Sequence, residues 1–115
     1  MMWTWSGNLK ADQEKAFREW LKKNRANLEK HMPPGFRYKG TYGTVFGLGK
    51  YDVMCIMEFG KMADFDVLRR YDDPEFNRFW WEYNDFFVPG TGTTTISRPV
   101  EEWVVMEPPK TKKKR

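Results

Sequence analysis

Cysteine and histidine are nearly absent from this chain, whose 115 residues hold one of each, Cys55 and His31. A lone cysteine forbids an intramolecular disulfide and, within one chain, a cysteine-based zinc site. With His31 distant from it in sequence, a metal centre fails on ligand count. Cys55 sits in an apolar run, where a free thiol behaves as a small hydrophobe. Long apolar stretches are missing too, since no window approaches the roughly 20 apolar residues of a membrane helix. The N-terminus has neither the charged leader nor the apolar core of a signal peptide. These absences predict a cytoplasmic protein with no membrane partner, no metal and no cofactor.

Charge is also scarcer than it looks. The formal net charge is +4, but the last six residues, Lys110 to Arg115, hold five of the 20 Lys and Arg. Without them 15 cations face 16 anions, a net charge of −1. The basicity therefore belongs to a tail. Pro108 and Pro109 precede it, so we expect a folded domain over 1–107 and a disordered basic tail over 108–115. Nucleic-acid binding would rest on that tail alone, and a short like-charge run is more simply a solvated terminus.

Aromatic residues are abundant. Six Trp, nine Phe and five Tyr exceed what one small core needs, so some should line a cavity or a subunit interface. The length suits a single domain.

Hydrophobic periodicity gives the order of elements. Met2 to Ser6 alternates large apolar with polar side chains, as a half-buried strand does. Asn8 is a candidate N-cap for a helix running from Leu9 to Met32, with Phe17, Trp20, Leu21 and Leu28 on its apolar face. Pro33-Pro34-Gly35 stops it. Phe36 to Leu48 returns to period two and predicts a strand with Phe36, Tyr38, Tyr42, Phe46 and Leu48 on one face. Gly47 to Lys50 predicts a hairpin turn, and Tyr51 to Phe59, apolar on both faces, a covered strand. A short helix is expected over Met62 to Arg70. Asp73-Pro74-Glu75 then starts another, with Asp73 as cap, Pro74 at the first position and Phe76, Phe79, Trp80, Tyr83 and Phe87 as its apolar stripe. Trp81 lies off that stripe. Thr93 to Arg98 reads as a fourth strand, and Trp103 to Met106 either extends it or forms a short arm. The fold class is α+β, a ferredoxin-like βαββαβ unit whose four-stranded antiparallel sheet carries its helices on one face.

The order of elements, with Pro34-Gly35-Phe36 after the first helix, apolar Val53 to Phe59, and Asp73-Pro74-Glu75 opening the late helix, resembles the dimeric α+β barrel superfamily. That group includes antibiotic-biosynthesis-type and haem-degrading monooxygenases, muconolactone isomerases, NIPSNAP proteins and stress-responsive barrel proteins. The resemblance spans residues 2 to about 105. It implies a homodimer whose two sheets pack into a barrel, with a cavity between sheet and helices in each subunit. Haem-degrading relatives need an iron-ligating histidine in the second half of the chain, and here there is none.

Two groups of residues are candidates for a site. Tyr38, Tyr42, Phe46, Trp80 and Tyr83 would line a pocket for a small apolar or aromatic ligand, with tyrosine hydroxyls orienting it. A tyrosine is costly to bury unless its hydroxyl finds a partner. His31 and Tyr42 are the candidates for proton transfer, although a histidine at a helix C-terminus is also explained by the helix dipole. Two functions compete. A cofactor-independent monooxygenase or isomerase predicts a polar-lined cavity of at least roughly 300 Å³. A non-catalytic dimeric module that binds a ligand or a protein instead places Trp81 and the Trp103 arm in its contact surface.

Overall fold

The structure, a computed structural model, describes residues 1–45 and 47–102. Its elements run β1 (Met2–Gly7), α1 (Glu14–Lys30), β2 (Phe36–Gly43), β3 (Val53–Phe59), α2 (Asp64–Arg70), α3 (Pro74–Asp85) and β4 (Thr93–Ser97), then a 3-10 turn over Val100–Glu102. The strands form one antiparallel sheet in the order β2-β3-β1-β4. This is the expected α+β architecture, with α2 and α3 dividing the second helical connection. Phe46, the Trp103 to Met106 segment and the basic tail lie outside the described residues.

Alternation decides which side of the sheet is inside. Along β3, Val53, Cys55, Met57 and Phe59 are buried, and Met54, Ile56 and Glu58 between them are only half-covered. Trp3 and Trp5 pair with Met57 and Cys55, so both indoles share the buried face. Phe17 and Leu28 of α1 and Phe76, Phe79 and Tyr83 of α3 close over it. Polar bonds seam the two helices. Trp20 Nε1 donates to Glu82 at 2.7 Å, and Asn27 donates to Glu75 at 2.9 Å.

The start of α3 follows its sequence signals. The Asp73 carboxylate accepts the Glu75 and Phe76 backbone N–H groups, and Pro74 occupies the first turn, where no N–H is needed. The start of α1 does not. The helix begins at Glu14, because residues 8–10 are held by tertiary bonds instead. Asn8 accepts the Asp52 backbone N–H on its side chain and the Val88 N–H on its carbonyl. Leu9 bridges to Phe87, and Lys10 N–H donates to the Phe86 carbonyl. Asn8 is thus a junction between the β2–β3 loop and the end of α3, not a cap.

A second correction concerns β2. Its pairing with β3 slips between Tyr38 and Gly40, leaving Lys39 as an extra, unpaired residue. One extra residue inverts the side-chain alternation beyond it. Phe36 and Tyr38 face the helices, but Thr41 takes the inner position opposite Cys55, and Tyr42 pairs with Met54 on the outer face. Tyr42 is 52% exposed. Gly40 takes a φ of 135°, which a side chain would resist, and the Tyr42 ring lies where its Cβ would be.

Candidate functional site

The concave site of the buried face is a cavity of about 240 Å³ between the sheet and the second helical layer. Trp3 and Trp5 of β1 and Cys55 and Met57 of β3 form its floor, Leu68 of α2 and Phe76 of α3 its walls, and Trp80, Tyr83 and Asn84 its α3 side. Its chemistry is almost wholly apolar. The rings are locked by their neighbours. Trp3 stands edge-on to Phe36 and Phe65, with centroids at 6.1 and 5.4 Å. Trp5 stands edge-on to Tyr83 and Phe87 at 5.5 and 4.8 Å.

Among the described residues, the Tyr83 hydroxyl and the Trp3 indole Nε1 are buried beneath this lining with no hydrogen-bond partner. Leaving such a group unsatisfied costs about 1–3 kcal/mol, so each needs a physical reason. Tyr83 is only 1% exposed, and burial pushes its hydroxyl far above the ordinary phenol value. The Cys55 thiol adds to that rise, yet the pair does not meet hydrogen-bond geometry. Burial likewise pushes Cys55 up to about 12. At neutral pH the cavity therefore holds a phenol and a thiol, not their anions.

Of the residues singled out from sequence, Trp80 and Tyr83 line this cavity. Tyr38 is buried beside it but otherwise engaged. Its hydroxyl lies 2.5 Å from that of Thr41, the Arg25 guanidinium sits 5.4 Å from its ring centre, and burial raises it to about 12. Tyr42 is on the outer face, and Phe46 lies outside the described residues. Trp81 points outward at 81% exposure, consistent with its place off the apolar stripe. Trp3 and Trp5 went unnamed as site residues, although their alternation with Thr4 already put both on one face. Only the pairing with β3 shows that this face meets the helices.

His31 is not at the cavity. Its Nδ1 lies 2.9 Å from Asp73 Oδ2, and its carbonyl accepts the Tyr71 hydroxyl at 2.6 Å. It ties the end of α1 to the cap of α3. This bond, with the Phe76 and Glu75 backbone N–H groups, holds the Asp73 carboxyl below the usual carboxylate range. A depressed carboxylate contributes stability above its unfolded value, near 3.9, and loses it as pH falls through the folded one. Asp73→Ala should therefore lower the melting temperature at pH 7. The gap from wild type should narrow below about pH 4 in a series of thermal melts. A gap of constant size would mean that the carboxylate charge contributes nothing.

A larger groove of about 590 Å³ lies between α1 and the β2–β3 hairpin, bordered by Glu14, Arg18, Thr41 and Asp52. Its charged groups are exposed, and Asp52 already accepts the Leu9 N–H at 3.0 Å. No buried unsatisfied atom borders it among the described residues. The smaller cavity is the better candidate.

Sheet order and helix placement together define a ferredoxin-like α+β fold. No protein-family model matches the sequence, and no curated protein matches it. Solved structures do. An uncharacterised NIPSNAP domain protein from Burkholderia xenovorans superposes with a TM-score of 0.66 at 10% identity, over 90% of this chain and 98% of that one. A protein from Agrobacterium tumefaciens superposes with a TM-score of 0.63 at 15% identity, over 92% of this chain and all of its own. At these identities the likeness is one of fold. No helix among the described residues is long and apolar enough to cross a membrane.

Proposed function

We propose that this chain is a ligand-binding α+β module that holds one small, flat, apolar molecule in the cavity between β1 and α3. The observation that carries the reading is the apolar cavity itself, about 240 Å³ bordered by the rings of Trp3, Trp5, Phe76 and Trp80. An apolar cavity of about 150 Å³ holds a benzene molecule, so 240 Å³ suits one or two fused rings. The volume falls below the roughly 300 Å³ expected for a monooxygenase or isomerase site, and the lining is apolar where that chemistry asks for polar groups. Neither ionisable group in the lining is an anion at neutral pH, so no general base faces a bound ring. The geometry supports binding over proton transfer.

The test is a titration with indane followed by tryptophan emission, since three of the lining residues are indoles. Emission should change saturably. At a hundred times Kd the ligand should stabilise the fold by about 2.7 kcal/mol, read as a rise in melting temperature. An unchanged spectrum and an unchanged melting temperature would refute the reading.

The outer sheet face supports a second part of the proposal. Met2, Met54, Ile56 and Tyr42 make an apolar patch there that is only partly covered. A second copy packed on this patch would bury it and form the homodimer that the superfamily resemblance implies.

A further inference from the structure

We infer that the ligand is an aryl glycoside, its aromatic ring in the cavity and its neutral sugar ring outside, on a shelf made by Trp81, Asn77 and Asn84. This rests on the ligand-binding reading above and names the class of ligand. A second concavity, of about 350 Å³, opens on α3 and is bordered by Asn77, Trp80, Trp81 and Asn84. Those positions fall at i, i+3, i+4 and i+7, one face of the helix. Trp80 and Asn84 border the internal cavity as well. The two spaces therefore adjoin along these side chains, and a ligand seated in the first reaches the second past the exposed Asn84.

The chemistry of the shelf differs from that of the cavity. Trp81 is 81% exposed, so a face of its indole is open to stacking. An aromatic face carries partial negative charge and attracts the weakly positive hydrogens of C–H bonds. A pyranose with equatorial hydroxyls presents such a face of axial C–H bonds. Its hydroxyls project sideways, where they both donate and accept, and carboxamides do the same. Asn77 Nδ2 donates to Asp72 Oδ1 at 3.1 Å, which orients that amide and leaves its carbonyl oxygen for a sugar hydroxyl. The head group is uncharged. Among the described residues neither lining includes Lys, Arg, His, Asp or Glu. Arg78, three residues before Trp81, is engaged by Glu75 at 2.8 Å and Glu82 at 3.1 Å. A carboxylate or phosphate head would meet no counter-charge there and would stay in water.

The experiment compares three ligands on the full chain: anisole, phenyl β-D-glucoside and 3-phenoxypropane-1,2-diol. All share the phenyl ether, and they differ in having no hydroxylated group, a sugar ring or an open-chain diol. Dissociation constants come from calorimetry, and the Trp81 indole N–H is followed by NMR. The glucoside should bind roughly tenfold tighter than anisole or the diol. Its binding, unlike that of anisole, should shift the Trp81 resonance. Trp81→Ala should erase most of the glucoside advantage and leave anisole affinity intact. The indole lies outside the core, so this variant should fold. If anisole binds and the glucoside binds no better, this inference fails and the ligand site stands. If no ligand binds, both fail. A diol as tight as the glucoside would overturn the sugar assignment, and a glucoside advantage that survives Trp81→Ala would overturn the shelf.

Discussion

Trp5→Ala is expected to destabilise the protein by about 3–5 kcal/mol, the range for removing a large core aromatic. A domain of this size has only roughly 5–15 kcal/mol to lose. The half-buried indole borders the cavity on one side and packs tightly on the others. It stands edge-on to Tyr83 and Phe87, and it presses on two glycines from the other side. A Cβ at Gly7 would come within 2.4 Å of the Trp5 ring, and one at Gly92 within 2.7 Å. Those glycines exist, in packing terms, to let the indole lie where it does. Its removal would not be repaired by collapse, because the strand pairing of Trp5 with Cys55 and Thr94 holds the backbone in place. The cavity would enlarge, so a two-ring ligand such as naphthalene should restore part of the lost stability. Urea denaturation with and without that ligand measures both effects. A loss under about 1 kcal/mol would show that the ring contributes little packing.

The second large effect concerns assembly. Ile56→Lys should weaken self-association by at least roughly thirtyfold in sedimentation velocity, the cost of burying an unpaired charge at an interface. Ile56 lies at the centre of the outer face, between Thr4 on one side and Gly40 on the other. Ile56 is half-exposed there. A lysine there can hydrate its ammonium in a monomer but not under a second sheet. The inward neighbours Cys55 and Met57 are untouched, so the monomer should fold as before. A wild-type chain that sediments as a monomer at every concentration would remove the dimer from the proposal.

Much of the local structure was legible in the residues. Asp73-Pro74-Glu75 marks a helix start because each residue answers a need of the first turn. The stripe from Phe76 to Phe87 names its buried face, and Pro33-Pro34-Gly35 ends the preceding helix. The site was half legible. Trp80 and Tyr83 could be named because helical spacing aims them at a core. Tyr42 could not be placed, since one unpaired residue at Lys39 reverses its side, and a bulge is a property of two strands. Asn8 looked like a cap until Asp52 and Val88, more than 40 residues away, claimed its polar atoms. The expectations for Phe46, the Trp103 arm and the tail fall outside the described residues.

Periodicity, capping and turn chemistry act between near neighbours, so the sequence by itself determined the order of elements, their apolar faces and the α+β class. The meeting of Trp5 with Tyr83 depends on a register between β1 and β3 and on the height of α3 above both. Such distances arise only when all the layers close together. Tertiary packing therefore decided that Trp3, Trp5, Trp80 and Tyr83 would border one apolar cavity, and it is from that arrangement that a ligand can be inferred.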